Sequence, residues 1–423
     1  MDEIVMTDTA HSQRGHAKLA PSSADRWTHC PGSIAKSAGM ESKSSVFAKE
    51  GTAAHELLAF RLAGPYPMHR VGDDYIGWIV DIEEGKVLRD DTIKPDNDRY
   101  WAVDQAMVDA TDVHIAEVQK RFKSAKDDEL EVEKALDMSR IHPDLWGTAD
   151  TILYRGRQKS LHVMDFKYGT GVVVDAVGNK QLLTYLAGAM LHYHNYDIQS
   201  LEIVIVQPRT TSGPGVKTWD VPYATMKEFV AELKVATAAT DKPDAPLHAG
   251  PWCRWCPAAP TCEENEAQAL RTAESEFEAV DISEPAKPAA FDADKVGARL
   301  DKIAHLKAYI KSLESYAYEQ ALAGNTPSGW KLVRGRSTRK WKNEGDAAAM
   351  LDALGYDKDE ILTEPSLKSP AQIEKMLGAK NKANIKALVY KPEGGTMLAP
   401  QDDPRSPVEA GAEAEFDDAS DPD

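Results

Sequence analysis

GTADTILYRGRQKSLHVMDFK, residues 147–167, decides the fold. Thr148 to Tyr154 and Leu161 to Lys167 are short runs rich in β-branched and apolar residues, and Arg155-Gly156-Arg157 between them supplies a turn, so the stretch reads as a hairpin. Before it, Glu129 to Leu136 alternates acidic and apolar residues over its first half, which adds a strand and makes an antiparallel meander. Beyond it, Lys180 to His192 is helical by the spacing of Leu182, Leu183, Leu186 and Met190. Ile203 to Val206 is an uninterrupted apolar strand of the kind buried on both faces. Upstream, Ala54, Leu57, Leu58 and Leu62 recur at helical spacing within Ala48 to Ala63, and a longer helix is expected from about Asp98 to Lys123 with Trp101, Met107, Val108, Ile115 and Val118 buried. Helix, three strands, helix, strand is an α/β core.

The hairpin also carries chemistry. Asp150 lies on one strand and Asp165 on its neighbour, and alternation puts Asp165 and Lys167 on one face. Paired carboxylates on adjacent strands suit Mg²⁺ or Mn²⁺, hard ions that take oxygen ligands. A lysine beside them can hold a water and stabilise charge on a phosphate, the elements of metal-assisted hydrolysis. Asp-x-Lys alone is common on solvated edge strands. Here it follows Leu161 and Val163 on an interior strand, where an unpaired carboxylate and ammonium are costly to bury unless they serve each other or a metal. Gln181 and Tyr185 share one face of the next helix and can reach the same place. His55 projects from the helix of Ala54 and Leu57, either as a core histidine or as a ligand.

The four cysteines form a second constellation. Cys253, Cys256 and Cys262 make a C-x2-C-x5-C cluster, and Cys30, after a capped turn at Ser22–Trp27, is the remaining thiol able to complete tetrahedral zinc or cubane iron–sulfur ligation. The segment Met1 to Ala20 lacks an apolar stretch fit for a signal peptide, and no apolar run approaches a membrane span, so a cytoplasmic protein with reduced thiols is expected.

The chain has 423 residues, 42% of them apolar, and a net charge of −18. Residues 401–423 contribute nine acidic side chains against one arginine and read as a disordered tail. The expected organisation is a disordered 1–20, a core domain over 21–270, a linker over 271–293, a smaller α+β unit over 294–400, and the tail. In the smaller unit Lys295 to Ala323 reads as a long helix, Trp330 to Trp341 as a basic strand or hairpin, and Ala347–Leu354 and Pro370–Leu377 as short helices. Lys331, Arg334, Arg336, Arg339, Lys340 and Lys342 lie in or beside the basic stretch with no acid among them. They can contact phosphates while Trp330 and Trp341 stack on bases, or simply form a solvated strand.

His55, Gly147-Thr148-Ala149-Asp150, Asp165-Phe166-Lys167 and Gln181-Leu182-Leu183-Thr184-Tyr185 come in the order used by RecB-like nucleases of the PD-(D/E)XK superfamily, which the chain resembles from about Ser22 to Cys262. One cysteine before the core and three after it is similar to the iron–sulfur subgroup of AddB and the CRISPR-associated RecB-like exonucleases, and the whole arrangement to a phage-encoded family of such proteins. The resemblance implies a restriction-endonuclease-like core, with a central mixed sheet flanked by helices and an iron–sulfur clasp. It implies Asp150, Asp165, His55 and the Phe166 carbonyl as metal ligands, Lys167 as catalytic lysine, Gln181 and Tyr185 as the auxiliary motif, and a [4Fe–4S] cluster on Cys30, Cys253, Cys256 and Cys262. Many such enzymes carry Glu where Asp165 stands. The expected activity is Mg²⁺- or Mn²⁺-dependent hydrolysis of DNA, as an exonuclease acting on single strands or duplex ends in phage-type replication, recombination or repair. A single-strand annealing protein would be a partner. The alternatives are a catalytically silent DNA-binding scaffold of the same fold and a sequence-specific endonuclease.

Overall fold

The hairpin of residues 147–167 forms the middle of a five-stranded sheet. The computed structural model describes residues 17–40, 45–63, 75–90, 92–123, 125–170, 172–210, 213–276, 293–334, 340–363, 366–370, 372–373, 385, 388–390, 396–400 and 407–408. They divide into two units, Met1–Tyr309 and Ile310–Asp423.

In the first unit α1 (Ala24–His29), α2 (Ser33–Lys36) and α3 (Val46–Leu62) precede a small sheet of β1 (Ile79–Asp81), β2 (Lys86–Leu88) and β3 (Tyr100–Ala102). Then come α4 (Gln105–Arg121), β4 (Asp128–Asp137), β5 (Trp146–Arg155), β6 (Ser160–Phe166), α5 (Lys180–His192), β7 (Ser200–Val206), β8 (Val216–Asp220), α6 (Tyr223–Thr240) and α7 (Glu263–Glu276). The large sheet is ordered β4-β5-β6-β7-β8 and is mixed: β6 and β7 run parallel, with α5 as the crossover, and the other neighbours are antiparallel.

Strand alternation explains the layering. Leu161 and Val163 of β6 pack in one core with Trp27, Leu182, Leu186, Phe229 and Leu233, whereas Met164 and Phe166 pack in another with Leu57, Leu58, Met107, Val108 and Ile115. Helices therefore cover both faces, and all seven residues of β6 are buried. At the end of β6 away from its carboxylate, Arg121, Glu202, His162 and Ser160 form a hydrogen-bonded chain that ties α4 to the sheet.

The expected helix from Asp98 starts later. Asp96 accepts hydrogen bonds from the backbone N–H groups of Asp98, Arg99 and Tyr100, which turns the chain into β3, so Trp101 lies on a strand. Asp104 then caps α4 by accepting from the Met107 N–H at 2.8 Å. Within the stretch counted as an N-terminal tail, Leu19 is fully buried and its N–H donates to the Asp144 carbonyl. Residues 1–16, the linker residues 277–292 and most of the acidic tail lie outside the described residues. The boundary between units falls within α8 (Ala293–Leu322).

The second unit contains β9 (Trp330–Arg334), β10 (Lys340–Trp341), α9 (Glu344–Ala353), α10 (Lys358–Ile361), β11 (Leu362–Thr363), β12 (Ser366–Leu367), β13 (Val389–Tyr390) and β14 (Thr396–Pro400). The basic stretch is not a hairpin on itself, because β9 pairs with β14 and β10 with β13. Trp341 is buried with Ala347, Leu351 and Ile361, and its indole N–H donates to the Lys368 carbonyl at 3.0 Å, so it serves the core and not a surface. Arg336, Arg339 and most of the helix expected at 370–377 fall outside the described residues. Among the described residues no helix is long and apolar enough to cross a membrane.

Candidate metal centre and thiol cavity

Three secondary-structure elements deliver the candidate ligand atoms. His55 on α3, Glu133 on β4 and Asp150 on β5 each present a nitrogen or oxygen within 4.8 Å of the others. The regular β5–β6 ladder ends at Thr151↔Met164, and beyond it the Phe166 N–H donates at 2.7 Å to Asp150 Oδ2 instead of to a backbone carbonyl. That bond fixes the carboxylate. His55 Nδ1 lies 3.5 Å from Asp150 Oδ1, and the imidazole packs edge-on against the Phe166 ring at 5.4 Å.

Glu133 was not singled out from the sequence. It follows Glu129 and Glu131 in an acidic alternation that reads as a solvated face, yet it is 7% exposed. Its backbone has φ 50°, left-handed in the middle of a strand, and the ladder skips it between Val132↔Thr151 and Lys134↔Ala149, placing it opposite Asp150. A non-glycine residue there costs about 1 kcal/mol or more, and such strain clusters at functional sites.

Beside this group, Lys167, Asp165 and Gln181 close a triangle. Lys167 Nζ is 2.9 Å from Asp165 Oδ2 and donates to Gln181 Oε1 at 3.1 Å, while Gln181 Nε2 donates to Asp165 Oδ1 at 3.0 Å. Tyr185, one turn along α5, is buried. Gly147 makes its packing possible, since a Cβ there would lie 2.7 Å from Pro21 Cδ and 3.2 Å from Tyr185 Cε1.

The charges respond to one another. Burial opposes the His55 imidazolium, but the neighbouring Asp150 carboxylate outweighs it and holds the pKa up at about 9. Burial likewise opposes the Asp150 carboxylate, and His55 overcomes this and holds its pKa below the ordinary range. Asp165 is pushed up, by burial first and then by Asp150, with Lys167 opposing. Lys167 stays an ammonium, because Asp165 and Asp150 overcome the burial that works against it. Burial, reinforced by Asp150 and Asp165, raises the Tyr185 phenol, which stays neutral.

The four thiols meet elsewhere in the same unit. Cys30 caps α1, Cys253 sits in a 3-10 turn (Pro251–Trp255) that Cys256 terminates, and Cys262 follows a second such turn (Ala259–Thr261). All four line one small cavity of about 10 Å³ together with Arg26 and His248. The His248 N–H points at Cys30 Sγ (3.3 Å), the Gly250 N–H at Cys253 Sγ (3.4 Å), and the Arg26 guanidinium approaches Cys256 Sγ at 4.0 Å. Burial pushes the Cys30 thiol up and takes Cys253 to about 11. A bound cation reverses that preference. Gly32 lets the loops close: its N–H donates to the Pro246 carbonyl at 2.9 Å, and a Cβ would lie 2.4 Å from the Ala245 carbonyl oxygen.

A chain of contacts joins the thiol loop to α5. Trp252 stacks flat on His29, with ring centroids 4.2 Å apart and planes at 4°. His29 Nδ1 donates to the Asp25 carbonyl, which leaves Nε2 facing Lys180 Nζ at 3.4 Å, and Lys180 also donates to Thr28 Oγ1 at 3.0 Å. Lys180 immediately precedes Gln181, the residue that holds Lys167 and Asp165.

Fold and site thus define a mixed α/β protein, with a His–carboxylate group at the edge of its central sheet and a four-thiol cavity in the same unit. The chain belongs to the family described as Protein of unknown function (DUF2800), whose model matches residues 16–406, a span that takes in both groups of residues.

Proposed function

We propose that this chain is a divalent-metal-dependent DNA phosphodiesterase of the RecB-like PD-(D/E)XK type, acting as an exonuclease, with a [4Fe–4S] cluster clasping its nuclease unit. The observation that carries the reading is the placement of Lys167, held by Asp165 and Gln181, beside the convergent His55, Glu133 and Asp150. One imidazole and two carboxylates suit Mn²⁺ or Mg²⁺, and their ligand atoms all lie within 4.8 Å of one another, where one ion with ligands at about 2.1 Å spans about 4.2 Å. Asp165 and the Phe166 carbonyl are the further ligands that the resemblance implies.

A divalent ion held there would supply Lewis-acid polarisation of a phosphoryl oxygen and lower the pKa of the attacking water. The chain's own groups do the rest. His55, which Asp150 favours as an imidazolium, would have to be neutral to serve as a ligand to such an ion. Lys167 offers N–H donors to the charge developing on phosphate, and Gln181 and Asp165 fix its direction so that no reorganisation is needed. Tyr185, neutral at working pH, remains a hydrogen-bond donor.

For the thiols, four cysteines lining one cavity suit either a tetrahedral zinc or a cubane cluster, and the resemblance favours the cluster. Anaerobic purification should yield iron and broad visible absorption; a colourless protein with stoichiometric zinc would overturn the cluster assignment. Wild type and Lys167→Ala incubated with linear, circular and single-stranded DNA plus Mn²⁺ test the activity. Progressive loss from ends in wild type alone is expected. Discrete fragments would replace the exonuclease with an endonuclease, and DNA binding without cleavage would replace it with a scaffold.

A further inference from the structure

The second unit contains a groove of about 770 Å³ formed by α8, the turn after it, β9 and Thr396 of β14. Its apolar walls come chiefly from Leu313, Tyr316, Tyr318, Pro327 and Trp330. This volume is in the range of small-ligand pockets. Two aromatics are left open there, Trp330 at 45% and Tyr316 at 37% exposure. The turn that aims Trp330 is specific: its N–H donates to the Pro327 carbonyl at 3.1 Å, and Gly329 takes φ 80°, which glycine adopts without strain.

We propose that this groove seats a base of single-stranded nucleic acid, stacked on Trp330, with a flanking phosphate on Arg334 of β9. Three features favour this occupant over an apolar peptide. First, charge: the thirteen residues from Trp330 to Lys342 contain six cations and no acid in sequence, Lys331 and Arg334 of them on β9, and Glu314 is the one acid among the residues lining the groove. Second, placement: Arg334 is exposed and lies four residues from Trp330 on the same strand, so the pleat puts both on one side, about 13 Å apart. Third, the walls are not uniformly apolar. Tyr318 and Thr396 pair their hydroxyls at 2.8 Å, and Asn325 Nδ2 donates to Gln320 Oε1 at 3.2 Å. Hydroxyls and amides can exchange such bonds with the donors and acceptors of a base edge, which an apolar side chain does not offer. The inference rests on the proposed function for its substrate class, though not for cleavage.

The test is binding by the full-length Lys167→Ala chain in EDTA, with fluorescently labelled oligo(dT) compared with an abasic oligonucleotide of equal length and charge. Oligo(dT) should bind at least tenfold more tightly. Trp330→Ala should erase that preference, and Trp330→Phe should restore most of it. Arg334→Ala should weaken both ligands equally and lower the salt dependence by about one ion. Equal affinity for both oligonucleotides in the parent chain, or a preference for oligo(dT) that survives Trp330→Ala, overturns the proposal and leaves the nuclease reading intact. A preference lost in Trp330→Ala and not restored by Phe assigns Trp330 to structure and overturns it as well. No binding of either oligonucleotide, in a chain whose wild type cleaves DNA, overturns the groove alone; no binding and no cleavage removes both readings.

Discussion

The His–carboxylate group and the thiol cavity each gather residues from distant parts of one unit, but they are held by different means. Asp150, Asp165 and Gln181 sit on a buried hairpin and its crossover helix, and their side chains are fixed by the Phe166 N–H and by one another. Three of the four cysteines sit on or beside 3-10 turns, and the contacts to sulfur are backbone N–H groups at Cys30 and Cys253 and the Arg26 guanidinium near Cys256. A sheet register exists without a guest, whereas loops of this kind take their geometry from the ion or cluster they bind. On the proposed reading the carboxylate group is preformed, and the thiol cavity would be completed by the metal or cluster it binds.

The largest expected effect follows from that contrast. Cys253→Ser should lose the visible absorption and the iron, and hydrogen exchange should show residues 247–262 deprotected while β5 and β6 keep their protection. Equal loss of protection in the sheet would break the comparison, because the clasp would then be holding the core itself. Lys167→Ala comes next: removal of a preorganised donor should lower Mn²⁺-dependent cleavage roughly 10²- to 10³-fold, while iron content stays near wild type.

The sheet-built side should also be acid-sensitive. His114 of α4 is fully buried, its Nε2 lies 3.0 Å from Thr151 Oγ1, and burial depresses its pKa to about 4. Between pH 6.5 and 4 the unfolded chain takes up this proton and the folded chain does not, so stability contributed at neutral pH is lost as pH falls. The swing is about 3 kcal/mol, read as the pH slope of urea unfolding. His114→Gln should flatten the slope, and an unchanged slope would show that another group carries it.

Much of this site is legible in the sequence because periodicity carries the information. Strand alternation is enough to put Asp165 beside Lys167, and a one-turn spacing on α5 puts Gln181 and Tyr185 on one face. Glu133 is illegible for the same reason: its left-handed backbone breaks the alternation that would have located it, and nothing in residue type announces a positive φ outside glycine. The two tryptophans flanking the basic stretch look equivalent as letters, but only packing separates buried Trp341 from exposed Trp330. The late start of α4 depended on Asp96, whose side chain bonds the backbone two to four residues ahead. Glu133→Gln sharpens this lesson. Loss of one carboxylate charge should weaken Mn²⁺ binding, measured by calorimetry, about tenfold, and unaltered affinity would return the ligand role to Asp165.

The smallest expected effect probes the contact between the two regions. Lys180 touches His29, on which Trp252 of the thiol loop stacks, and Lys180 also begins the helix that carries Gln181. If the regions were independent, loosening the thiol loop would leave Gln181 in place. The contact predicts otherwise: Lys180→Ala should keep the iron while freeing the first turn of α5, with cleavage falling only two- to fivefold, about 0.5–1 kcal/mol for one hydrogen-bonded contact. The same first turn should exchange faster in Cys253→Ser than in wild type, and combining the two substitutions should add little to Cys253→Ser alone, since both remove one connection. Fully additive losses would mean that the stacked tryptophan, histidine and lysine are neighbours without being coupled.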